Sequence, residues 1–534
     1  MNKIYFFLFS FLIISCNFKQ PKLDEGIEAI TYNNLEKHIV ELSGDDYLGR
    51  KPMSNEEAKV LDYISHEMKS TGLDSVFFQE VPIRGINSQP SSLQFATRKG
   101  PIKCKSGKDF SAVTRKAVSE SDIYMSDIVF VGFGITAPEY GRYDYNGIDV
   151  KGKTVLMFVN DPGYYTQDIN YFKGHAMTYY GRWTYKFEEA ARHGAKACFI
   201  IHETGPAGYP WSIVGDDSKS TTLVLDSPDD NTSRCDIEGW ISEKTARKLL
   251  ANCNKDFDDL KHKALTKDFK PIPLKAKATL NLKNSIINGV SKNIIGYIKG
   301  KDKPEEAVVY TAHWDHIGVV KPIEGDSIVN GATDNASAVS WLIEISRAFK
   351  KGPQPGRSIV FVATTAEESG LLGATYYTQH PLIPLEKTIA VINTDINLFI
   401  GEFNDVTLTG YGQSTIDKVV EEAAKLQGRY IAPDPNPENG MFFRSDHLPF
   451  VLNGVPALFA KGYVDSKKLG KDKTKDYIKN YWKNTYHKPS DEYHAERDDL
   501  NGLVQDTKLM YHVGWELSQT EDIPQWNDNS EFKK

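Results

Sequence analysis

From Val308 onward the chain alternates short apolar runs with helical stretches. The runs are Val308 to Ala312, Ser358 to Ala363, Ile389 to Thr394 and Ala457 to Ala460. Between and after them, helices are predicted from about Asn335 to Phe349, over Leu371 to Gln379, over Ser414 to Leu426 and from about Leu500 to Leu517. Continuous apolar runs of this length fit strands buried on both faces. Their alternation with helices predicts an α/β fold, a mixed central sheet covered by helices on both faces. Three runs also end on groups that bind cations: His313 and Asp315 after the first, Glu367 and Glu368 after the second, Asp395 at the third. Open α/β sheets gather ligands at the carboxyl ends of their strands, so three separate segments should meet at one edge.

Two further groups extend the set. Asp334 stands in the loop GATDNASA just before a helix, where capping the helix is the ordinary role. His487 lies in TYHKP, where a surface role would be ordinary, and His316 reads as a satisfied polar neighbour of His313. With His313, Glu368 and Asp395 they make two imidazoles and three carboxylates, a donor set suited to zinc and also acceptable to cobalt or manganese. That is one carboxylate too many for a single tetrahedral ion. It fits two ions sharing a bridging carboxylate, an arrangement used for water-activated hydrolysis.

The segments HWDH, GATDNASA, TAEESG, NTDIN and YH, in this order over about residues 290–495, resemble the M28 family of zinc aminopeptidases and carboxypeptidases. GRKPMSNEEAKVLDYISHEMKSTGL resembles the family's N-terminal segment. The resemblance implies two Zn2+ per chain, His313 and Asp395 on one, Glu368 and His487 on the other, with Asp334 bridging. It implies Glu367 as general base and then acid, and Tyr486 as hydrogen-bond donor to the oxyanion. Asp315 would orient the His313 imidazole through its second ring nitrogen, and the Asp334–Asn335 peptide would be cis. Phe442 to His447 resembles the stretch lining the family's substrate pocket, so Arg444, Asp446 and His447 become candidate substrate contacts. Asp446 and His447 could equally form a local polar pair, and Arg444 could simply pair with Asp446.

The activity implied is an aminopeptidase acting on peptides outside the cytoplasm. A carboxypeptidase or dipeptidase is the alternative, with Arg444 meeting the far carboxylate. A glutaminyl-cyclase-like transferase and a non-catalytic receptor or scaffold on the same fold are the remaining options, and the complete donor set argues against both.

At 534 residues the chain should hold two or three folded units. VFVGFG, DYNGIDVKGKTVLMFV and KFEEAARHGAKACFII resemble the protease-associated (PA) domain inserted in some peptidases, expected here as a β-rich insert over 122–262. The catalytic unit would then be discontinuous, 25–121 and 263–520, with a loose polar tail over 521–534.

Lys3, the apolar run Ile4 to Ile14, then Ser15 and Cys16 resemble a bacterial lipoprotein signal over 1–16. Cys16 would carry the lipid and 17–24 would be a tether, holding the protein to a membrane of the cell envelope. A net charge of −7 offers no basic face for nucleic acid. Cys235 and Cys253 are the nearest possible disulfide pair, while Cys198 reads as a buried apolar residue; pairing and oligomeric state are left open.

Overall fold

The computed structural model describes residues 21–215 and 221–533. A mixed sheet of sixteen strands runs through the protein. In its C-terminal part Ala457–Lys461, Thr388–Asn393, Lys303–His313 and Arg357–Thr364 lie side by side and parallel. Asp405–Thr409 and Ile272–Ile298 flank this group, both antiparallel to it. Every residue of Arg357–Thr364 and Thr388–Asn393 is buried, as strands covered on both faces require. Successive side chains enter opposite layers. Val308, Tyr310 and Ala312 join the core built with helices Tyr32–Leu42, Ser337–Lys351 and Asn501–Gln519. Val309, Val360 and Val391 face the other way, toward Tyr377 and Phe450.

Ile272–Ile298 is 27 residues long and pairs with two sets of neighbours. Its last residues meet Arg357–Thr364, and its first half meets Glu120–Phe130. Beyond Glu120–Phe130 follow Thr154–Phe158, Ala197–His202 and Ile237–Ser242, all parallel, then Phe110–Val113. In the first half Leu274, Ala276, Ala278, Leu280 and Leu282 alternate into a second core with Phe130, Leu156 and Phe199. Leu93, Phe95, Ile102 and Phe110, which precede residue 122, also pack in that core. Within 122–262 the expected helix near Tyr185 to His193 is found as Trp183–Arg192, and helices Glu243–Asn252 and Phe257–Leu265 follow it. Ser242 and Asp256 cap the last two with side-chain oxygens that accept helix N–H groups.

Two expectations at the chain ends need correction. The segment 521–533 is not loose: Trp526 Nε1 donates to the Gly454 carbonyl at 2.9 Å, and Trp526 and Phe532 pack with Phe442 and Phe443. Two apolar anchors outweigh its polar composition. At the other end a helix already begins at Pro21, so residues 21–24 are not an extended tether. Cys16, with the rest of 1–20, lies outside the described residues. Cys104, Cys198, Cys235 and Cys253 all carry free thiols. Among the described residues no helix is long and apolar enough to cross a membrane.

Candidate metal centre

Strand ends do bring the expected groups together. His313 closes Lys303–His313, Glu367 and Glu368 follow Arg357–Thr364, and Asp395 follows Thr388–Asn393. Asp334 reaches the same spot from the loop before Ser337–Lys351, across a cis Asp334–Asn335 peptide. His313 Nε2 lies 3.3 Å from Asp395 Oδ1 and 3.4 Å from Asp334 Oδ1. On the other side His487 Nε2 lies 3.3 Å from Asp334 Oδ2 and 3.1 Å from Glu368 Oε2. The two oxygens of Asp334 therefore face two separate groups of donors. His316 joins the second group, its Nδ1 2.8 Å from Glu368 Oε1, a placement its sequence context did not suggest.

These spacings fit divalent ions. Two donors each about 2.0–2.2 Å from one ion stand roughly 3.3–3.6 Å apart in tetrahedral geometry. Among the described residues His487 Nε2 and Asp334 Oδ1 are buried atoms with no hydrogen-bond partner despite their charged neighbours. Buried polar atoms left in this way call for a ligand, so the residues present fit a pair of metal ions.

Glu367 is buried, and its Oε2 lies 3.9 Å from His313 Nε2. Burial pushes its carboxyl well up; His313 pulls it down, while Asp395, Glu368 and Asp446 push it further up. Tyr486 stacks on the His487 ring with centroids 3.7 Å apart. Burial, then Glu368 and Asp334, raise its hydroxyl far above the ordinary value, so it remains a proton donor.

Asp315 departs from its expected role. His313 Nδ1 meets the Asp315 backbone carbonyl at 3.1 Å, while the carboxylate Oδ1 is 3.9 Å away. That Oδ1 instead accepts the backbone N–H of Glu367. Asp446 and His447 are sealed from solvent, which removes them as direct substrate contacts. Asp446 accepts the Thr364 hydroxyl at 2.5 Å, and His447 packs against Phe442 and Phe459. Arg444 makes no ion pair with Asp446 among the described residues; its guanidinium lies over the Tyr209 ring at 5.9 Å.

Three residues that sequence reasoning passed over shape the site. Arg50 is fully buried and donates to the carbonyls of Leu42, Trp314, Asn330 and Gly331, fastening the loops that carry His313 and Asp334. Asp491 accepts the backbone N–H groups of Thr333 and Asp334, both at 3.1 Å. Arg182, just before the helix Trp183–Arg192, is buried, and among the described residues its Nε has no partner. Burial and then the Arg444 charge pull its guanidinium down to about 9, and Glu367 is among the groups opposing that shift. Arg50 lies in the quoted segment GRKPMSNEEAKVLDYISHEMKSTGL, but nothing in that segment marks its side chain as a clamp on distant loops.

A model of peptidase family M28 matches residues 293–512. Aminopeptidase NAALADL1 of Mus musculus is 35% identical over 159 residues, 29% of this chain and 19% of that protein. A glutamate carboxypeptidase 2 homolog of Caenorhabditis briggsae is 25% identical over 301 residues, 51% of this chain and 37% of that protein. The chain thus spans well under half the length of these relatives. Among solved structures, the aminopeptidase from Aneurinibacillus sp. strain AM-1 superposes with a TM-score of 0.53 at 20% identity, covering 95% of this chain and 97% of that one. This likeness shows a shared fold. The segment that matches the peptidase family M28 model, residues 293–512, contains every one of these strand-end donors.

Proposed function

We propose that the chain is a zinc-dependent exopeptidase that removes residues from the amino end of peptides, using two metal ions. The observation that carries this reading is Asp334, whose two oxygens face His313 and Asp395 on one side and Glu368 and His487 on the other. Divalent ions at such a site supply a water of lowered pKa and Lewis-acid polarisation of a carbonyl. Glu367, its carboxylate beside the donor groups, would take a proton from the attacking water and deliver it to the departing amine. Tyr486 would hold its hydroxyl proton toward the developing oxyanion. Aminopeptidase and carboxypeptidase names both occur among the relatives, so the reaction class is better supported than the end of the peptide attacked.

One observation favours a second reading, attack from the carboxyl end. Arg182 and Arg444 bring two cations close to each other near Glu367, and Arg182 has no ion pair among the described residues. A substrate carboxylate would supply the missing partner. Free and amino-blocked peptides given to the zinc-loaded protein decide between the readings. An aminopeptidase cleaves only the former, whereas a carboxypeptidase accepts both and loses kcat/KM when Arg182 is replaced. Elemental analysis finding no zinc would reject both.

The PA-like reading of 122–262 and the envelope lipoprotein reading of Cys16 remain part of the same proposal. Mass spectrometry of the mature protein tests the latter, and an unmodified Cys16 would rule it out.

A further inference from the structure

The geometry points to His316 as a metal ligand through Nδ1, making the second half of the centre a four-donor site of His316, Asp334, Glu368 and His487. This inference rests on the metal-centre reading above and extends it to a residue outside the five expected donors.

His316 is 1% exposed, so its ring is committed to the interior. Nδ1 lies 2.8 Å from Glu368 Oε1, and His316, Asp334, Glu368 and His487 can each offer one ligand atom, all within 4.8 Å of one another. Two donors on one ion, each about 2.0–2.2 Å from it, cannot stand more than about 4.4 Å apart. The His316 to Glu368 separation falls within that limit, as do those of His487 to Glu368 Oε2 and Asp334 Oδ2. The two imidazoles meet edge to face with centroids 5.5 Å apart.

The ring's position is enforced from behind. Gly331 has φ +61, and a Cβ there would fall 2.5 Å from His316 Cδ2, so only glycine lets the loop pass so close. Arg50 grips the Gly331 carbonyl, and the Arg50 carbonyl accepts the His316 backbone N–H. Among the described residues His316 Nε2 is buried without a hydrogen-bond partner, so Glu368 is the group that holds the ring, at Nδ1.

The consequence is asymmetry. His313, Asp334 and Asp395 are three protein donors, which leaves one position of a tetrahedral ion open for substrate or water. Four donors close the other site in the manner of structural metals. The four-donor site should fill first, and the reacting carbonyl should enter on the His313 side.

The test uses the full chain loaded with Co2+, followed by proton NMR in H2O and D2O. Each imidazole bound to this paramagnetic ion gives one strongly shifted, solvent-exchangeable N–H signal. Three such signals are expected, from His313, His316 and His487, and His316→Phe should remove one of them. The tighter of the two Co2+ affinities should fall by at least about tenfold in that variant, whose folding is checked by circular dichroism. His316→Asn separates ligation from positioning, because its amide N–H can still donate to Glu368. If His316 ligates, the Asn variant behaves like Phe; if it only orients Glu368, Asn restores wild-type affinity. Two signals in the wild type, or rescue by Asn, overturn the inference while leaving the two-metal centre intact. Failure to bind Co2+ at all overturns the metal centre itself.

Discussion

The carboxylate of Asp315 accepts the backbone N–H of Glu367 at 3.0 Å. One loop, running on from the strand that ends at His313, thus fixes both an expected metal donor and the expected base. Asp315→Ala should lower kcat by about 10- to 100-fold, the range typical of outer-sphere partners. Metal content should change little. Steady-state kinetics alongside elemental analysis check this, and a variant that lost its zinc would point to the carbonyl contact with His313 instead.

Glu367→Gln keeps the size of the side chain but removes the proton acceptor. Turnover should drop by about 10²- to 10⁴-fold with both metals retained. Full activity in this variant would reject Glu367 as the base.

Asp491 supplies both acceptors for the amides that lead into Asp334. Hydrogen bonds to a charged group contribute about 1.5–3 kcal/mol each. Asp491→Ala should therefore loosen the bridging carboxylate and weaken metal binding, as measured by competition with a chelator. Asp491→Asn, which keeps one acceptor, should fall between the two.

Arg50 makes four contacts to buried carbonyls. Arg50→Lys keeps the charge, yet one ammonium cannot reach four acceptors spread around a planar fork. Each carbonyl left bare costs about 1–3 kcal/mol. Chemical denaturation should show a loss of several kcal/mol for Lys and at least as much for Ala.

His447 is not itself one of the metal donors and offers a test of pH dependence. Burial pushes its imidazole down to about 4, against an ordinary value of 6.5. The unfolded chain therefore takes up a proton on this ring before the folded one does. Its contribution is fully present above pH 6.5 and is lost as pH falls toward 4, amounting to about 3 kcal/mol. His447→Leu should flatten the stability profile across that window. Denaturation midpoints between pH 7 and 4 provide the measurement, and parallel profiles would contradict the assignment.

Much of the catalytic half was legible because its signals are local. An apolar run such as Ser358 to Ala363 can hardly be anything but a buried segment, and the groups following it are the ones it delivers. Gly470–Asn484 was missed because only Thr474 and Tyr481 are buried along a strongly charged helix, leaving almost no apolar period to read. The two capped helices after Ser242 and Asp256 did carry readable signals. Other features have no local signal at all. Ala366, Ile396 and His487 adopt positive φ beside or within the site, a strain of about 1–3 kcal/mol each that residue type conceals. The approach of Arg182 to Arg444 joins segments far apart in the chain, so only the assembled fold reveals it.

The strand Ile272–Ile298 has a consequence for how the chain can acquire its shape. Ser75–Pro90 pairs with it along sixteen residues, each partner lying roughly 200 positions further along. An early segment therefore waits for most of the first half of the protein to be synthesised before its neighbour exists. Pairings of such long range form slowly, and strand edges left open meanwhile favour association with other chains. Exposed Phe77 and Phe78 stand on that waiting edge, so the interval before residue 298 emerges is the one in which the unpaired strand is most open to association.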